Sequence, residues 1–209
     1  MAKQTITAAF ARRAIADSAW DLGNQALYDL CRKHPGHRHE NEVLAKVWLI
    51  GRSYAASIER RRDGRDTMGD DFYRGVVAPQ IRRSGIDRWF QALSGLRIPS
   101  ADDVVPAHAR VTRLFTEISG LEKRSLASKY LHFHFPRAAY IYDERATRAI
   151  RLVTPAQHLR SLPYNPCDEA YARFFLRCEV FRNQLEQLLG RRVTPREMDK
   201  VLLAIAARA

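Results

Sequence analysis

The apolar residues of this chain recur at intervals of three and four positions, a spacing that places side chains on one face of an α-helix. No stretch of similar length alternates apolar and polar residues as a β-strand would. The pattern therefore predicts an all-α protein. Its clearest stretch comprises Val43, Leu44, Val47, Trp48, Ile50, Gly51, Tyr54 and Ile58.

Helix start and stop signals divide the chain further. Thr194-Pro195 with Glu197 has the composition of a capping box with proline at the first helical position, and Thr154-Pro155 predicts a second helix start. Gly120 and Gly190 lie where helices are expected to end. The predicted helices cover residues 18–33, 40–62, 70–83, 86–94, 106–119, 123–135, 143–153, 155–161, 167–189 and 195–207.

Two prolines in the segment Leu96–Pro106 indicate a linker between two helical lobes. We expect a two-lobed helical domain with a cleft between the lobes, within a single all-α unit spanning 1–209. The polar runs at 33–39 and 60–66 are interpreted as loops. The expected parts are an N-terminal lobe at 1–99, a middle region at 106–153 and C-terminal helices at 154–209.

The chain is strongly basic and rich in arginine. It has 35 Lys and Arg against 23 Asp and Glu, a formal charge of +12, and 29 of the 35 cationic residues are Arg. Arginine binds phosphate through a planar fork of donors, so this balance favours a nucleic-acid partner. An arginine-rich composition can also follow from codon bias, but a charge of this size raises affinity for polyanions whatever its origin.

Several classes of protein are not expected. No apolar stretch is long enough to span a bilayer, and the first twenty residues lack the apolar core of a signal peptide. We therefore expect a soluble, cytoplasmic, nucleoid-associated protein with no membrane partner. Cys31, Cys167 and Cys178 are odd in number and lack close pairing, which indicates reduced structural thiols and excludes a four-cysteine metal or iron–sulfur site.

The segment Ile118–Ile150 carries the most specific functional signal. It is interpreted as a helix end, a short hairpin containing Gly120, a second helix, a loop broken by Pro136, and a new helix with Asp143 at its N-cap. Backbone N–H groups and the helix dipole favour a carboxylate at that position. Asp143 is therefore either a residue that only caps the helix or a catalytic carboxylate.

This arrangement resembles the helix-hairpin-helix superfamily of base-excision DNA glycosylases, over about residues 114–152. That superfamily has a glycine-containing hairpin, a helix opening with Lys or Ser, and a catalytic Asp followed five residues later by Arg. Here Gly120-Leu121 resembles the hairpin and Ser125-Leu126-Ala127 the helix opening. Asp143 corresponds to the catalytic aspartate and Arg148 to the arginine.

The match departs from the superfamily pattern at two points. Glu122 replaces the second hairpin glycine, and the position that holds the lysine nucleophile in some members is either Ser125 or Arg124, depending on the register. Neither residue supplies an amine, so the resemblance implies a monofunctional enzyme. Lys123 and Lys129 lie close enough in sequence to leave a lyase step open.

The resemblance implies a DNA glycosylase, a hydrolase of N-glycosyl bonds that removes a modified or mismatched base in repair or in defence against modified foreign DNA. The Asp143 carboxylate would stabilise positive charge on the sugar, and the base would have to leave the duplex stack. The implied partner is double-stranded DNA with a flipped base. The implied catalytic residues are Asp143, Ser125 and Lys129. The implied DNA contacts are Gly120, Lys123, Arg124, Arg145, Arg148, His132, Arg52 and Arg60.

A second interpretation is a DNA- or RNA-binding all-α protein without catalytic activity. No cofactor or metal is expected under either interpretation. The spacing of His132 and His134 suits a metal site on a strand, but the pair lies at a predicted helix end, and His37 and His39 lie in a predicted loop that could contact phosphate. Aromatic residues are interpreted mainly as core, with stacking on an extruded base as the alternative. These aromatic residues are Tyr54, Trp48, Trp89, Phe90, Phe72 and Tyr73.

Overall fold

The structure, a computed structural model, describes residues 6–60, 70–97, 99–154 and 168–208. Every regular element in these ranges is helical, which confirms the all-α prediction. The α-helices are α1 Ala8–Ala16, α2 Asp21–Lys33, α3 Glu40–Ser53, α4 Asp70–Phe72, α5 Ala78–Arg83, α6 Ile86–Ser94, α7 Ala101–Ser119, α8 Arg124–His134, α9 Glu144–Val153, α10 Glu169–Leu189 and α11 Pro195–Ala206. A π-helical segment, Tyr73–Val77, joins α4 to α5.

Predicted helix starts are confirmed where a side chain caps the backbone. The Thr194 hydroxyl accepts from the N–H of Glu197, and the Glu197 carboxylate accepts from the N–H of Thr194, which is the predicted capping box of α11. Asp143 caps α9 as predicted. The predicted helix at 155–161 and Cys167 lie outside the described residues.

The predicted helix 40–62 is wrong over residues 54–60, and its last two residues lie outside the described part of the chain. The chain turns back after Ser53, because Ala55 adopts a left-handed φ of 48° and the N–H of Ala56 donates to the carbonyl of Gly51. A Cβ on Gly51 would lie 3.2 Å from the Cα of Ser57, so glycine permits this close approach. As a result, Arg60 lies beyond the end of α3 and outside any helix.

The predicted linker is also wrong over its second half. Ser100 caps α7 and forms a capping box with Asp103, so the helix begins at Ala101 and contains Pro106. Helix α1 was not predicted; it buries Phe10 against the core and packs on α11.

The buried apolar residues form one cluster to which both halves of the chain contribute. Helices α2 and α3 of the N-terminal half pack against α8, while α9 packs against α10 and α11. Helix α7 packs against α8 after a short connection at residues 120–123, in which Gly120 has a φ of 71°. These contacts surround α8 with helices that come from distant parts of the sequence.

Candidate functional site

The segment that leads into α9 is held against the middle of α8. The backbone N–H of Tyr142 donates to Oγ of Ser128 at 2.9 Å, and that hydroxyl donates to the carbonyl of Ser125 at 2.9 Å. Ser128 is fully buried. Its hydroxyl therefore fixes the backbone one residue before Asp143, and with it the position of the Asp143 carboxylate.

The two carboxylate oxygens of Asp143 face different partners. Its Oδ1 accepts from the N–H of Ala146 at 2.9 Å, which is the N-cap bond of α9. Its Oδ2 lies 3.8 Å from Nζ of Lys129, a distance at which the charges attract without a hydrogen bond. The side chain is 24% exposed. The carboxylate can therefore be reached from solvent on one side while the protein fixes its orientation on the other.

Lys129 lies behind this carboxylate and is 1% exposed. Its Nζ donates to Oγ of Ser125 at 2.6 Å and to the carbonyl of Tyr142 at 3.2 Å. Burial lowers the pKa of Lys129, and the negative charge of Asp143 opposes that shift. The structure thus brings together Asp143, Ser125 and Lys129, the three residues that the resemblance implied as catalytic.

Helix α11 contributes a second carboxyl group to this region. Asp199 is 3% exposed, and Nη1 of Arg196 donates to its Oδ2 at 2.6 Å. Burial, together with the negative charge of Asp143, raises the pKa of Asp199, whereas Arg196 and Lys129 lower it, and the balance is a pKa of about 6. Because the charges of Asp143 and Lys129 both act on Asp199, all three residues belong to one electrostatic site.

Two tyrosines extend the site towards α2. Oη of Tyr54 donates to Oδ1 of Asn24 at 2.6 Å. His132 faces the carbonyl of Ala139 through Nδ1 at 2.8 Å, so Nδ1 carries the proton and Nε2 accepts from Oη of Tyr28 at 2.7 Å. Burial lowers the pKa of His132 to about 4, in keeping with a neutral ring. These groups form a polar layer within the protein interior.

Tyr54 connects the parts of this layer. Nζ of Lys129 lies 5.7 Å from the centre of the Tyr54 ring. Burial raises the pKa of Tyr54 to about 12, and the charges of Arg196 and Asp199 also act on it. We refer to these side chains as the polar cluster. It consists of Asn24, Tyr28, Tyr54, Ser125, Lys129, His132, Asp143, Arg196 and Asp199.

Two residues expected to contact DNA are instead buried. Nζ of Lys123 donates to the carbonyls of Ser57 at 2.9 Å and Arg60 at 2.6 Å, and burial lowers its pKa to about 8. His132 has no exposed surface, and both of its ring nitrogens are hydrogen-bonded inside the protein. In this structure the hydrogen bonds of Lys123 and His132 are therefore made inside the protein, and their contact with DNA stays a prediction.

Two predicted arginine contacts are engaged within the protein. Nε of Arg124 donates to both carboxylate oxygens of Asp168, at 2.8 and 2.7 Å. Nη2 of Arg148 donates to the carbonyl of Ala206 at 3.0 Å, which ties α9 to the end of α11. Each guanidinium has further donors, so these bonds orient the side chains and leave part of each available to a ligand.

The other predicted DNA contacts lie at the surface. Arg145 is exposed on the first turn of α9, and its positive charge lowers the pKa of Lys129. Arg52 is half-exposed and forms an ion pair with Glu59, whereas Arg60 and Gly120 are exposed. Of these residues, Arg145 is the one whose charge acts directly on the polar cluster.

Sequence reasoning missed four members of the polar cluster as site residues. Asn24 and Tyr28 are spaced i, i+4 on α2, and Arg196 and Asp199 are spaced i, i+3 on α11. Asp199 lies among buried apolar residues of α11. A charged residue within an apolar helix face is the sequence feature that could have marked it as a site residue. Its partner helices could not be inferred from that stripe alone.

Two surface depressions do not include Asp143 in their linings, although Tyr28 of the polar cluster lines one of them. One, of about 670 Å³, is lined by Tyr28, Cys31, Phe90 and His134 among others. The other, of about 910 Å³, includes Trp48, which is 48% exposed and therefore not the core residue that its helical spacing suggested.

The described residues were also compared with the requirements of a metal site, a disulfide and a membrane-spanning helix. Over the described ranges, no three His, Cys, Asp or Glu side chains group closely enough to hold a metal ion. Cys31 and Cys178 are buried free thiols. No helix in the described part of the chain is long and apolar enough to cross a membrane.

Comparison of the chain with protein-family models, curated proteins and solved structures finds no match. The geometry of the polar cluster is therefore the basis for any assignment of function.

Proposed function

We propose that this protein is a monofunctional DNA glycosylase that uses Asp143 to cleave the N-glycosidic bond of a modified or mismatched base. The observation that carries the proposal is the placement of Asp143: Oδ1 is fixed by the α9 cap, Oδ2 lies 3.8 Å from the buried Lys129, and the side chain remains partly exposed.

The chemistry of base excision matches this placement. Cleavage of an N-glycosidic bond develops positive charge on the sugar, and a fixed carboxylate stabilises that charge without having to reorganise. Asp143 is held from two directions, by the N–H of Ala146 and by the charge of Lys129. Its exposed side can face the anomeric carbon and orient the attacking water.

In this proposal Lys129 is a positioning residue. Its Nζ is already committed to Ser125, to the Tyr142 carbonyl and to the charge of Asp143, and the side chain is almost fully buried. Held in this way, Nζ of Lys129 fixes the orientation of the Asp143 carboxylate by the attraction between their charges. Because it does not present a free amine to the surface, we expect hydrolysis without a lyase step.

The charge distribution supports a DNA substrate. The formal charge of +12 attracts a polyanion, and the exposed Arg145 adjoins Asp143 on the first turn of α9. A phosphate next to the extruded nucleotide would lie close to both Arg145 and the N-terminal end of α9. A protein with this activity would associate with the nucleoid.

The test is base release from a panel of duplex and phage DNAs, each carrying a different modified base. After incubation, alkali converts every abasic site into a strand break that is resolved by length. Alkali-labile sites at the modified position support the glycosylase. If no substrate acquires such sites while the protein binds each DNA with a strong salt dependence, the binding module without catalytic activity is the correct function.

A further inference from the structure

The smaller of the two surface depressions, of about 670 Å³, lies between α2, α6 and the C-terminal end of α8. Its walls are rich in aromatic side chains, and we refer to it as the aromatic cavity. Small-molecule sites commonly enclose about 300–1,000 Å³ and combine aromatic walls with a few polar groups. The aromatic side chains of the lining are Tyr28, Phe90, Phe133 and Phe135.

The loop at residues 35–38 contributes another wall of the aromatic cavity, and two buried side chains hold it in place. Nζ of the fully buried Lys46 donates to the carbonyl of Gly36 at 2.6 Å. Nδ1 of the buried His37 donates to Oδ1 of Asp87 at 2.6 Å. Burial of such polar groups is costly unless they are hydrogen-bonded, and here their bonds fix the loop. The wall is therefore formed before a ligand binds, which lowers the entropy cost of binding.

Charged side chains also line the aromatic cavity. Arg38 and Arg32 are exposed, and Arg32 uses Nη2 to bind Asp29 while its other donors stay available. An exposed guanidinium binds phosphate oxygens through its planar fork of donors. The Asp87 side chain is 45% exposed and its orientation is fixed by His37, so its remaining lone pairs can accept from an N–H or O–H group.

These groups define the chemistry of a matching ligand. Aromatic walls favour a planar ring, the arginines favour an anionic group, and the carboxylate favours an amino or hydroxyl donor. A nucleotide combines all three, because it has a base, a phosphate, and donors on its base or ribose. Inorganic phosphate lacks the ring, a nucleoside lacks the anionic group, and a simple aromatic carboxylate lacks the donor.

We propose that the aromatic cavity binds a free mononucleotide. The base lies among the aromatic side chains, the phosphate binds Arg38 and Arg32, and Asp87 accepts from the base or the ribose. The lining does not include Asp143, so the inference goes beyond the proposed base excision and does not depend on it. Tyr28 belongs to both the aromatic cavity and the polar cluster, so a bound nucleotide would adjoin the candidate catalytic site.

The experiment measures binding to the full chain by isothermal titration calorimetry. The probes are AMP, GMP, CMP and UMP, the nucleoside of each, inorganic phosphate, and 2-naphthoate, an aromatic carboxylate without an amino or hydroxyl group. We expect at least one nucleotide to bind about tenfold or more tightly than its nucleoside, inorganic phosphate and 2-naphthoate. Such a difference is the effect of about one hydrogen bond to a charged group.

Two variants test the location of the bound nucleotide. Arg38→Ala should weaken binding by about tenfold, because it removes a donor to the phosphate. Gln91→Trp should abolish binding, because Gln91 lies on the α6 wall and the larger side chain fills the cavity. The matched controls are Arg113→Ala on α7 and Gln184→Trp on α10, which are exposed positions outside the lining. Both controls should bind as the wild type does, and thermal unfolding establishes that each variant is folded.

Several results would overturn the proposal. It is wrong if no nucleotide binds more tightly than its nucleoside and inorganic phosphate, or if 2-naphthoate binds as tightly as the nucleotides. It is also wrong if Arg38→Ala and Gln91→Trp both keep the affinity of the wild type. In that case, a loss of affinity in Arg145→Ala would assign the nucleotide to the surface proposed to bind DNA. The glycosylase proposal stands or falls separately, because base excision is a different measurement.

Discussion

Nζ of Lys129 lies 3.8 Å from Oδ2 of Asp143, and its own hydrogen bonds to Ser125 and Tyr142 hold it there. The lysine comes from the middle of α8 and the aspartate from the cap of α9. Ser128 joins the two elements by accepting from the N–H of Tyr142. The pair is thus a product of helix packing.

Replacement of Lys129 by methionine should slow base excision by roughly a hundredfold, because Asp143 loses the charge that holds it. Lys46→Met is the matched control. Lys46 is also fully buried and donates to the carbonyls of His34 and Gly36, outside the polar cluster. Single-turnover rates and thermal unfolding are measured for both variants. Equal losses of rate in the two variants would show that Lys129 acts only through stability.

Sodium borohydride should not trap a covalent complex between the protein and a DNA substrate. Nζ of Lys129 is buried and donates to Ser125 and to the carbonyl of Tyr142, so it is not accessible to a sugar carbon for a Schiff base. Denaturing gels of the reduced mixture reveal any adduct. An adduct that forms with the wild type and disappears in Lys129→Met would contradict the monofunctional mechanism.

Arg145→Ala should weaken DNA binding severalfold and reduce the slope of log affinity against log salt by about one, the effect expected for loss of one phosphate contact. Arg113→Ala is the control, because Arg113 is an exposed arginine on α7 that pairs with Glu117. Fluorescence anisotropy over a range of salt concentrations measures both quantities. An unchanged slope for Arg145→Ala would show that Arg145 does not contact a DNA phosphate.

The free energy of unfolding should fall as the pH is lowered from 6.5 towards 4. Burial lowers the pKa of His37, His108 and His132 to about 4, so protonation favours the unfolded chain, in which their pKa is near 6.5. Each contributes about 3 kcal/mol above pH 6.5 that is lost as the pH falls through 4. The raised pKa of Asp199 acts in the opposite direction, since its contribution is present below 3.8 and lost as the pH rises through 6.

Chemical denaturation across this pH range measures the dependence. His132→Gln should reduce the slope of the free energy of unfolding against pH by the equivalent of about one bound proton, because the glutamine side chain does not titrate. A stability that stays constant between pH 6.5 and 4 in the wild type would contradict the burial of these histidines.

The sequence was sufficient to predict the elements that depend on local signals. The caps at Thr194 and Asp143 and the helix at Ile86–Ser94 follow from residues within a few positions of one another. The start of α7 at Ala101 was missed because Pro106 outweighed the capping box at Ser100. Proline is tolerated there at the loss of one backbone hydrogen bond. The capping box favours a helix that starts at Ala101, whereas Pro106 disfavours one. The choice between them depends on the packing of α7 on α8, which the sequence does not show.

The polar cluster was predictable only in part. Asp143, Ser125 and Lys129 lie in one continuous motif, and the structure brings them together. Asn24 and Asp199 come from opposite ends of the chain, and no spacing rule links them. Their convergence depends on how α2 and α11 pack around the other helices, which is a property of the whole core.

The most direct test of the account is single-turnover excision by Asp143→Asn, with Asp168→Asn as its control. Asp168 caps α10 as Asp143 caps α9, and asparagine preserves an N-cap at either position. Each substitution also removes a charge partner, of Arg124 at Asp168 and of Lys129 at Asp143, so thermal unfolding is measured for both variants. We predict that Asp143→Asn still binds DNA but releases no base, while Asp168→Asn retains activity. An active Asp143→Asn would show that this carboxylate is only a cap and that the proposed mechanism is incorrect.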